Sequence, residues 1–394
     1  MDPVKRNVAL LSACQGLLLC NAVTMITMNG LVGYQLADDK RLATLPVTGY
    51  VIGTTLATLP AAHFMKRYGR RSGFMLGCGL GIAGGLVCAL AVWLQSFWLL
   101  CLGTLLAGSY NAFGQQYRFA AADLASVDWK AKAISFTLAG GILGGILGPE
   151  TGKLTRDLLT TPFMASYAAL AGFALLALLI TRFLRIPPLP ATEQHGSGRS
   201  LATIARQPAF LVAVAGAALG YGAMNLLMSA TPLAMDLCGL SFAQTALVFE
   251  WHIIGMYAPS FFTGSLIRRF GVLQVMLAGA ACMFACVGVA MSGLSLLHFW
   301  GALLLLGVGW NFLYIGGTTL LTETYTTAER AKVQGTNDFI VFGLQGISSL
   351  SSGAVLIRDG WNALNLLVLP LVLLATLAVL WLLWLRRAGQ PHRA

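Results

Sequence analysis

The sequence predicts an all-α membrane protein of twelve transmembrane helices in two pseudo-symmetric six-helix halves. Three observations carry this. The chain of 394 residues is 57% hydrophobic and only 10% charged, with a mean hydropathy of +0.76. Its apolar runs are close to the roughly 20 residues that a helix needs to cross hydrocarbon. Its punctuation repeats at an offset of about 200 residues, as expected of a transporter built from parallel repeats. A soluble domain could not keep this much apolar surface out of water.

The elements follow in order, with the polar residues between apolar runs marking each boundary. The first span, 9–30, follows Lys5 and Arg6; the second, 44–64, closes on Lys66 and Arg67; the third, 73–94, opens after Arg70 and Arg71. The fourth runs 98–123, the fifth 133–155 after Lys130 and Lys132, and the sixth 162–184 up to Arg182 and Arg185. The seventh, 208–231, follows Arg206; the eighth, 244–267, closes on Arg268 and Arg269; the ninth and tenth are 272–293 and 297–322. The eleventh, 334–357, follows Arg330 and Lys332, and the twelfth, 362–385, ends at Arg386 and Arg387. Little chain is left for a soluble catalytic domain, and no nucleophile and base stand at usable spacing, so an enzyme is not expected. The first apolar run lacks the small-residue site of a cleaved leader.

Net charge is +11, but its distribution reports topology and not a nucleic-acid partner. Nineteen of the 25 basic residues lie on the side that holds the junctions above, against Lys40, Arg41, Lys153, Arg156 and Arg358 opposite and Arg118 inside the fourth span. Basic residues concentrate on the cytoplasmic face, so both termini are expected there; a bacterial inner membrane is what the family likeness below implies. Seven of the eight cysteines fall inside spans, where free thiols act as small apolar fillers, and no CxxC pair occurs.

The repeat divides the chain. Ile52-Gly53 and Lys66-Arg67-Tyr68-Gly69 recur as Ile254-Gly255 and Arg268-Arg269-Phe270-Gly271. Asn111, Asp123, Lys130, Ala131 and Lys132 recur as Asn311, Glu323, Arg330, Ala331 and Lys332. The expected organisation is residues 1–186, a cytoplasmic linker at 187–207 with Pro-Pro and Gly-Ser-Gly runs, and residues 208–394.

Two spacings point to chemistry. Met224 and Met228 in the seventh span, and His252 and Met256 in the eighth, are each four residues apart, so each pair points one way from its helix. The seventh span runs outward and the eighth inward, which puts both pairs about eight residues, roughly 12 Å, below the outer surface. Facing each other they would set three thioethers and an imidazole around one point, a soft-metal site for copper, with ligands neutral enough to release it again. The bland reading is packing: chance alone gives about 0.4 Met-x3-Met pairs in a chain of this composition. Accessory ligands would be Met235 and Cys238 beyond the seventh span and Met25 and Met28 in the first, against an ordinary loop and an ordinary core. Glu250, inside the eighth span, is a functional candidate because ionisable groups are costly in lipid, and its alternative is a bond between helices. Asp123 and Glu323, at the basic ends of the fourth and tenth spans, are expected to pair with Arg70 or Arg269, with proton transfer the alternative, and Arg118 is expected to pair with Asp123, the alternative being to line the inner vestibule. Arg71 completes this basic loop.

The segment Ala62-x-Phe64-x-Lys66-Arg67-x-Gly69-Arg70-Arg71, its partner Gly264-x-Leu266-x-Arg268-Arg269-x-Gly271, and Gly144-x3-Gly148-Pro149-x2-Gly152 resemble signature motifs of the major facilitator superfamily. Lys66 and Arg268 stand where that pattern usually has Asp. The resemblance implies alternating access, a gate at Arg70, Arg71, Asp123, Arg269 and Glu323, and a cavity lined by spans 1, 4, 7 and 10. That places Asn21, Asn111, Tyr221, Asn225, Trp310 and Asn311 near the pathway. The Met and His pairs are similar to those of the CcoA-like copper importers within this superfamily. That narrower likeness implies copper as transported substrate, with no resident cofactor, a copper chaperone as partner beside the bilayer, and supply to cytochrome oxidase assembly. Two other cargos stay open. The Gly-Pro motif resembles that of proton-coupled antiporters exporting organic compounds, with Glu150 either carrying the proton or capping a helix end. Trp251, Trp310, Tyr110 and Tyr221 offer stacking surfaces for an imported aromatic metabolite such as a flavin. A metal-binding sensor or assembly scaffold without flux is the reading from another class.

Overall fold

Helix boundaries in the computed structural model fall where the sequence supplies caps, glycines and prolines. It describes residues 2–39, 42, 45–187 and 198–388; 188–197, about half of the linker, and Lys40 and Arg41 of the charge reading lie outside the described residues. The first helix, α1 (Pro3–Leu36), starts on an Asp2 side chain that accepts from the Val4 amide at 3.0 Å, with Pro3 in the first turn, where its missing donor is harmless. α2 (Leu45–Tyr68) and α3 (Arg70–Trp93) are separated by Gly69 alone, at φ +85°, a conformation that suits glycine. α4 (Phe97–Gly114) begins at Ser96 and is followed by α5 (Tyr117–Leu124), α6 (Lys130–Ala139), α7 (Gly141–Thr155) and α8 (Met164–Thr181). After a short α9 (Leu201–Ala205) come α10 (Pro208–Leu237), α11 (Phe242–Tyr257), α12 (Ser260–Phe270), α13 (Val272–Ser292) and α14 (Leu296–Leu321). The last, α15 (Arg330–Ala388), carries the eleventh and twelfth spans around a joint at Gly360, φ +82°.

Three spans read as continuous are broken. The fourth divides at Gln115-Gln116, the fifth at Gly140, and the eighth at Ala258-Pro259, where proline supplies no amide to the helical ladder. Among the described residues eleven helical stretches are long and apolar enough to cross a membrane. The eighth span is not among them, its apolar run being diluted by Glu250, His252 and Pro259; α11 and α12 together run over 242–270.

The chain forms two compact units. One takes Met1–Ala125, Phe136–Gly196 and Arg330–Phe342; the other takes Ser126–Ser135, Ser197–Glu329 and Gly343–Ala394. The units thus depart from the two sequence halves at two short pieces, 126–135 and 330–342, which overlap in part under the 200-residue repeat.

Within the first unit α4 packs on α2 and α3, α8 on α3, and α7 on α1. Small residues allow the approach: a Cβ on Gly84 would lie 2.8 Å from the Ala107 amide nitrogen. Met25 and Met28 are buried in this unit's apolar core with Tyr50, Cys88 and Tyr167. Within the second unit α14 packs along α10, α11 and α13.

Candidate functional site

The second unit carries a buried aromatic cluster on three helices. Trp310 of α14 stacks on Tyr314, one turn further, with centroids 4.8 Å apart and planes at 19°. Tyr221 of α10 stands edge-on to both at 5.4 Å, and Tyr257 of α11 to Trp310 at 5.7 Å. The spacing of 310 and 314 puts both rings on one face of α14. Trp310 is closed off from solvent, and its Nε1 has no hydrogen-bond partner among the described residues. Tyr221 and Trp310 were legible as stacking candidates; Tyr257 and Tyr314 were missed, although the four-residue spacing to Trp310 was the signal for Tyr314. The other two aromatic candidates lie elsewhere. Trp251 packs on Trp300 at 5.6 Å on a half-exposed face. Tyr110 is buried in the first unit against Gly81 of α3.

The broken helix is held by Asn311 of α14. Its Nδ2 donates to the Met256 carbonyl and to Ser260 Oγ, both at 2.6 Å, and its Oδ1 accepts from Thr263 Oγ1 at 2.7 Å. A carbonyl beside the break is thereby satisfied in a setting where an unpaired one is costly. Asn311 is a structural brace of α11 and α12.

His252 faces α14 as well. Its Nδ1 lies 2.7 Å from the Leu303 carbonyl oxygen, and its Nε2 has no hydrogen-bond partner among the described residues. One turn on, Gly307 lets α11 approach so closely that a Cβ there would sit 2.8 Å from the Met256 amide nitrogen. The copper reading required the seventh and eighth spans to turn these faces toward each other. α14 instead packs along both, and α10 and α11 scarcely touch. The imidazole is committed on one side to the α14 backbone, and Met256 is packed at the same contact. Met224 and Met235 are buried, Met228 is half-buried and Cys238 is exposed. Among the described residues no group of three or more His, Cys, Asp or Glu is placed to hold a metal.

The first unit contains a charged network at the ends of α3, α4, α5 and α15. Arg70 donates through Nη2 to Asp123 Oδ2 at 2.6 Å and to Gln334 Oε1 at 2.7 Å, and through Nη1 to Gln116 Oε1 at 3.3 Å. Arg330 reaches the same Asp123 oxygen at 3.2 Å. Arg118, expected to pair with Asp123, is instead ion-paired with Asp338. Gln116 Nε2 and Asn337 Nδ2 each donate to that carboxylate at 3.0 Å. A recess beside this network is lined by Lys66, Arg70, Gln116, Arg330 and Gln334. Asp338, Gln334 and Asn337 were not singled out in the sequence, although an acid in an apolar span and the i, i+3, i+4 spacing of 334, 337 and 338 were the available signals.

The remaining expectations are placed as follows. Glu323 pairs with Arg386 at 2.6 Å and not with Arg269, which lies exposed with its guanidinium over Phe270. Arg71 is exposed. Glu150 is half-exposed and pairs with Lys153 at 2.6 Å, one turn away, and Glu250 is exposed. Asn21 donates to the Leu170 carbonyl at 3.0 Å, Asn111 to Thr54 Oγ1 at 3.3 Å, and Asn225 to the Gln345 carbonyl at 3.1 Å, so all three tie helices together.

Outside the spans, Arg199 grips Glu329. Its backbone amide and Nε donate to Oε1 at 2.7 and 2.8 Å, and Nη2 donates to Oε2 at 2.7 Å and to the Thr324 carbonyl at 2.9 Å. The Arg199 guanidinium holds the Glu329 carboxyl well below the usual carboxylate range, with the Thr326 amide assisting.

Residues 11–349 match the Major Facilitator Superfamily. The chain belongs to this superfamily. It is 42% identical over 373 residues to the riboflavin transporter RfnT of Brucella anthropi, covering 94% of each chain. It is 29% identical over 368 residues to the uncharacterized MFS-type transporter YdeG of Bacillus subtilis, covering 89% of this chain and 86% of that one. The structure of the human organic anion transporter MFSD10 superposes with a TM-score of 0.77 at 16% identity, over 96% of this chain and 100% of that one, a likeness of fold alone. The protein is therefore a multi-pass secondary transporter of the major facilitator type and not an enzyme. The copper branch expected from the Met and His spacing finds no support among these relatives.

Proposed function

We propose that the chain imports a flavin, riboflavin or a close analogue, across the bacterial inner membrane by alternating access. The observation that carries this reading is the 42% identity to a riboflavin transporter over nearly the whole of both chains. The cluster of Trp310, Tyr314, Tyr221 and Tyr257 supports it, because neutral aromatic faces favour offset or edge-on contact with a flat heteroaromatic ring. Alternating access carries the resemblance of the repeat and loop motifs to mechanism. In that mechanism Arg70, Asp123 and Arg330 act as the gate on the side of the basic loops, with the first and last residues of the chain cytoplasmic.

Riboflavin uptake by a host that neither makes nor imports the vitamin tests this directly. The expected result is growth on micromolar riboflavin and saturable uptake of the labelled compound. A correctly inserted protein that gives neither overturns the cargo.

A further inference from the structure

We propose that a polar seam between α10 and the first span of α15, made by Asn225, Ser229, Gln345, Ser348 and Ser349, binds the ribityl hydroxyls of the cargo. On this view the carrier selects its ligand by an uncharged polyol chain as well as by an aromatic ring. The proposal rests on the flavin reading above.

The seam lies wholly within the second unit. Asn225 Nδ2 donates to the Gln345 carbonyl at 3.1 Å, and Ser229 Oγ stands 3.5 Å from Ser349 Oγ. Both pairs are 120 positions apart, so the two spans run parallel and in register at this contact. Ser348 Oγ faces α10 as well, since a Cβ on Gly222 would lie 3.2 Å from it. The turn of the helix sets 345, 348 and 349 on one face of α15 and 347 and 350 on the other. Ile347 and Leu350 are exposed apolar residues, as a lipid-facing side requires. Polar side chains of a span turn away from lipid, toward protein or water. Ser229 is exposed, and Gln345 and Ser349 are half-buried, so the seam is open to a ligand.

Hydroxyls in helices commonly bond back to their own backbone, and neighbouring ones here do. Thr231 donates to the Leu227 carbonyl at 2.8 Å, and Ser351 and Ser352 donate to the Ile347 and Ser349 carbonyls, both at 2.9 Å. Ser348 Oγ and the Gln345 side-chain amide instead make no hydrogen bond to a described residue, and the Ser229 and Ser349 hydroxyls have only their long mutual contact. Ser348 is 5% exposed, and Asn225, at 7%, leaves its Oδ1 without a partner among the described residues. Buried polar groups are almost always paired, so these unspent groups call for a partner that both donates and accepts, as a polyol hydroxyl does. Residues 208–235 and 343–357 contain no charged side chain and no histidine, so a phosphate or carboxylate finds no counter-ion along the seam. Tyr221, half-buried and one turn before Asn225 on α10, joins the seam to the aromatic cluster.

The test measures how unlabelled riboflavin and lumiflavin inhibit uptake of labelled riboflavin into membrane vesicles. Lumiflavin keeps the ring system and carries a methyl group in place of the ribityl chain. With the natural protein, riboflavin is expected to inhibit at a concentration at least about tenfold lower than lumiflavin. Gln345→Leu combined with Ser348→Ala is expected to raise KM for riboflavin about tenfold and to leave inhibition by lumiflavin within about twofold, so that the preference closes. Ser351→Ala, which removes a hydroxyl spent on its own helix, is the control and should keep the preference. Equal inhibition by the two flavins in the natural protein overturns the proposal whatever the variants do, as does a double variant that retains the preference. A natural protein that takes up no riboflavin overturns the cargo reading instead, so the two failures are told apart.

Discussion

Arg118 and Asp338 form an ion pair closed to solvent at both ends, with side chains 1% and 0% exposed. Breaking such a pair leaves one charge buried without compensation, which costs about 3–5 kcal/mol, whereas replacing both partners by apolar groups is often neutral. Asp338→Ala should therefore lower the melting temperature of the detergent-solubilised protein strongly. The double replacement Arg118→Leu, Asp338→Leu should recover most of the loss. Equal melting of the single and double variants would show that the pair is not an energetic unit.

Glu329 gives a pH prediction with a definite sign. Its folded carboxyl titrates below an unfolded value of about 4.3, so the clasp with Arg199 contributes stability above that value and loses it as pH falls through the folded one. The melting difference between the natural protein and Glu329→Gln should stay flat from pH 8 to about 5 and close only in stronger acid. A difference that already shrinks near neutrality would assign the effect to another group.

Gly307 is predicted to be intolerant of any side chain. A Cβ would meet the Met256 amide nitrogen at 2.8 Å and the Gly255 carbonyl carbon at 2.9 Å, and backbone cannot swing aside as a side chain can. Gly307→Val should force α11 and α14 apart at a cost of about 1–3 kcal/mol, read as lower yield and melting temperature. Gly288, whose Cβ position has nothing within 4 Å, is the control site, where Ala should be harmless.

Met224 and Met228 separate the two cargos raised by the sequence. Leucine replaces methionine at nearly constant volume, usually for less than about 1.5 kcal/mol, and removes the sulfur. The double replacement is expected to leave riboflavin uptake within about twofold and the metal content of the purified protein unchanged. Loss of bound copper together with loss of flux would restore the thioethers as ligands.

Fold was legible where one-dimensional signals are strong. Hydropathy marks the apolar spans, and the paired motifs at Lys66 and Arg268 mark the repeat. The Met and His pairs show where such signals end. A four-residue spacing states which way a side chain leaves its own helix, but not which helix it meets. For His252 that helix is α14, through the Leu303 carbonyl, a backbone partner invisible in sequence. Asp123 beside Arg70 could be expected from the basic loops that flank it. Asp338, the more deeply buried acid, could not be paired in advance, because its partner lies 220 positions away in a different span.

The joint at Pro259, bridged by Asn311, bears on parity. Eleven crossings would put the first and last residues of a polytopic chain on opposite faces of the bilayer. α11 and α12 together cover 29 positions, about 40 Å of helix, ample for a membrane core about 30 Å thick. Counted as one crossing, the two pieces that Asn311 ties together bring eleven apolar stretches to twelve, the even number that the proposed placement of both ends in one compartment requires.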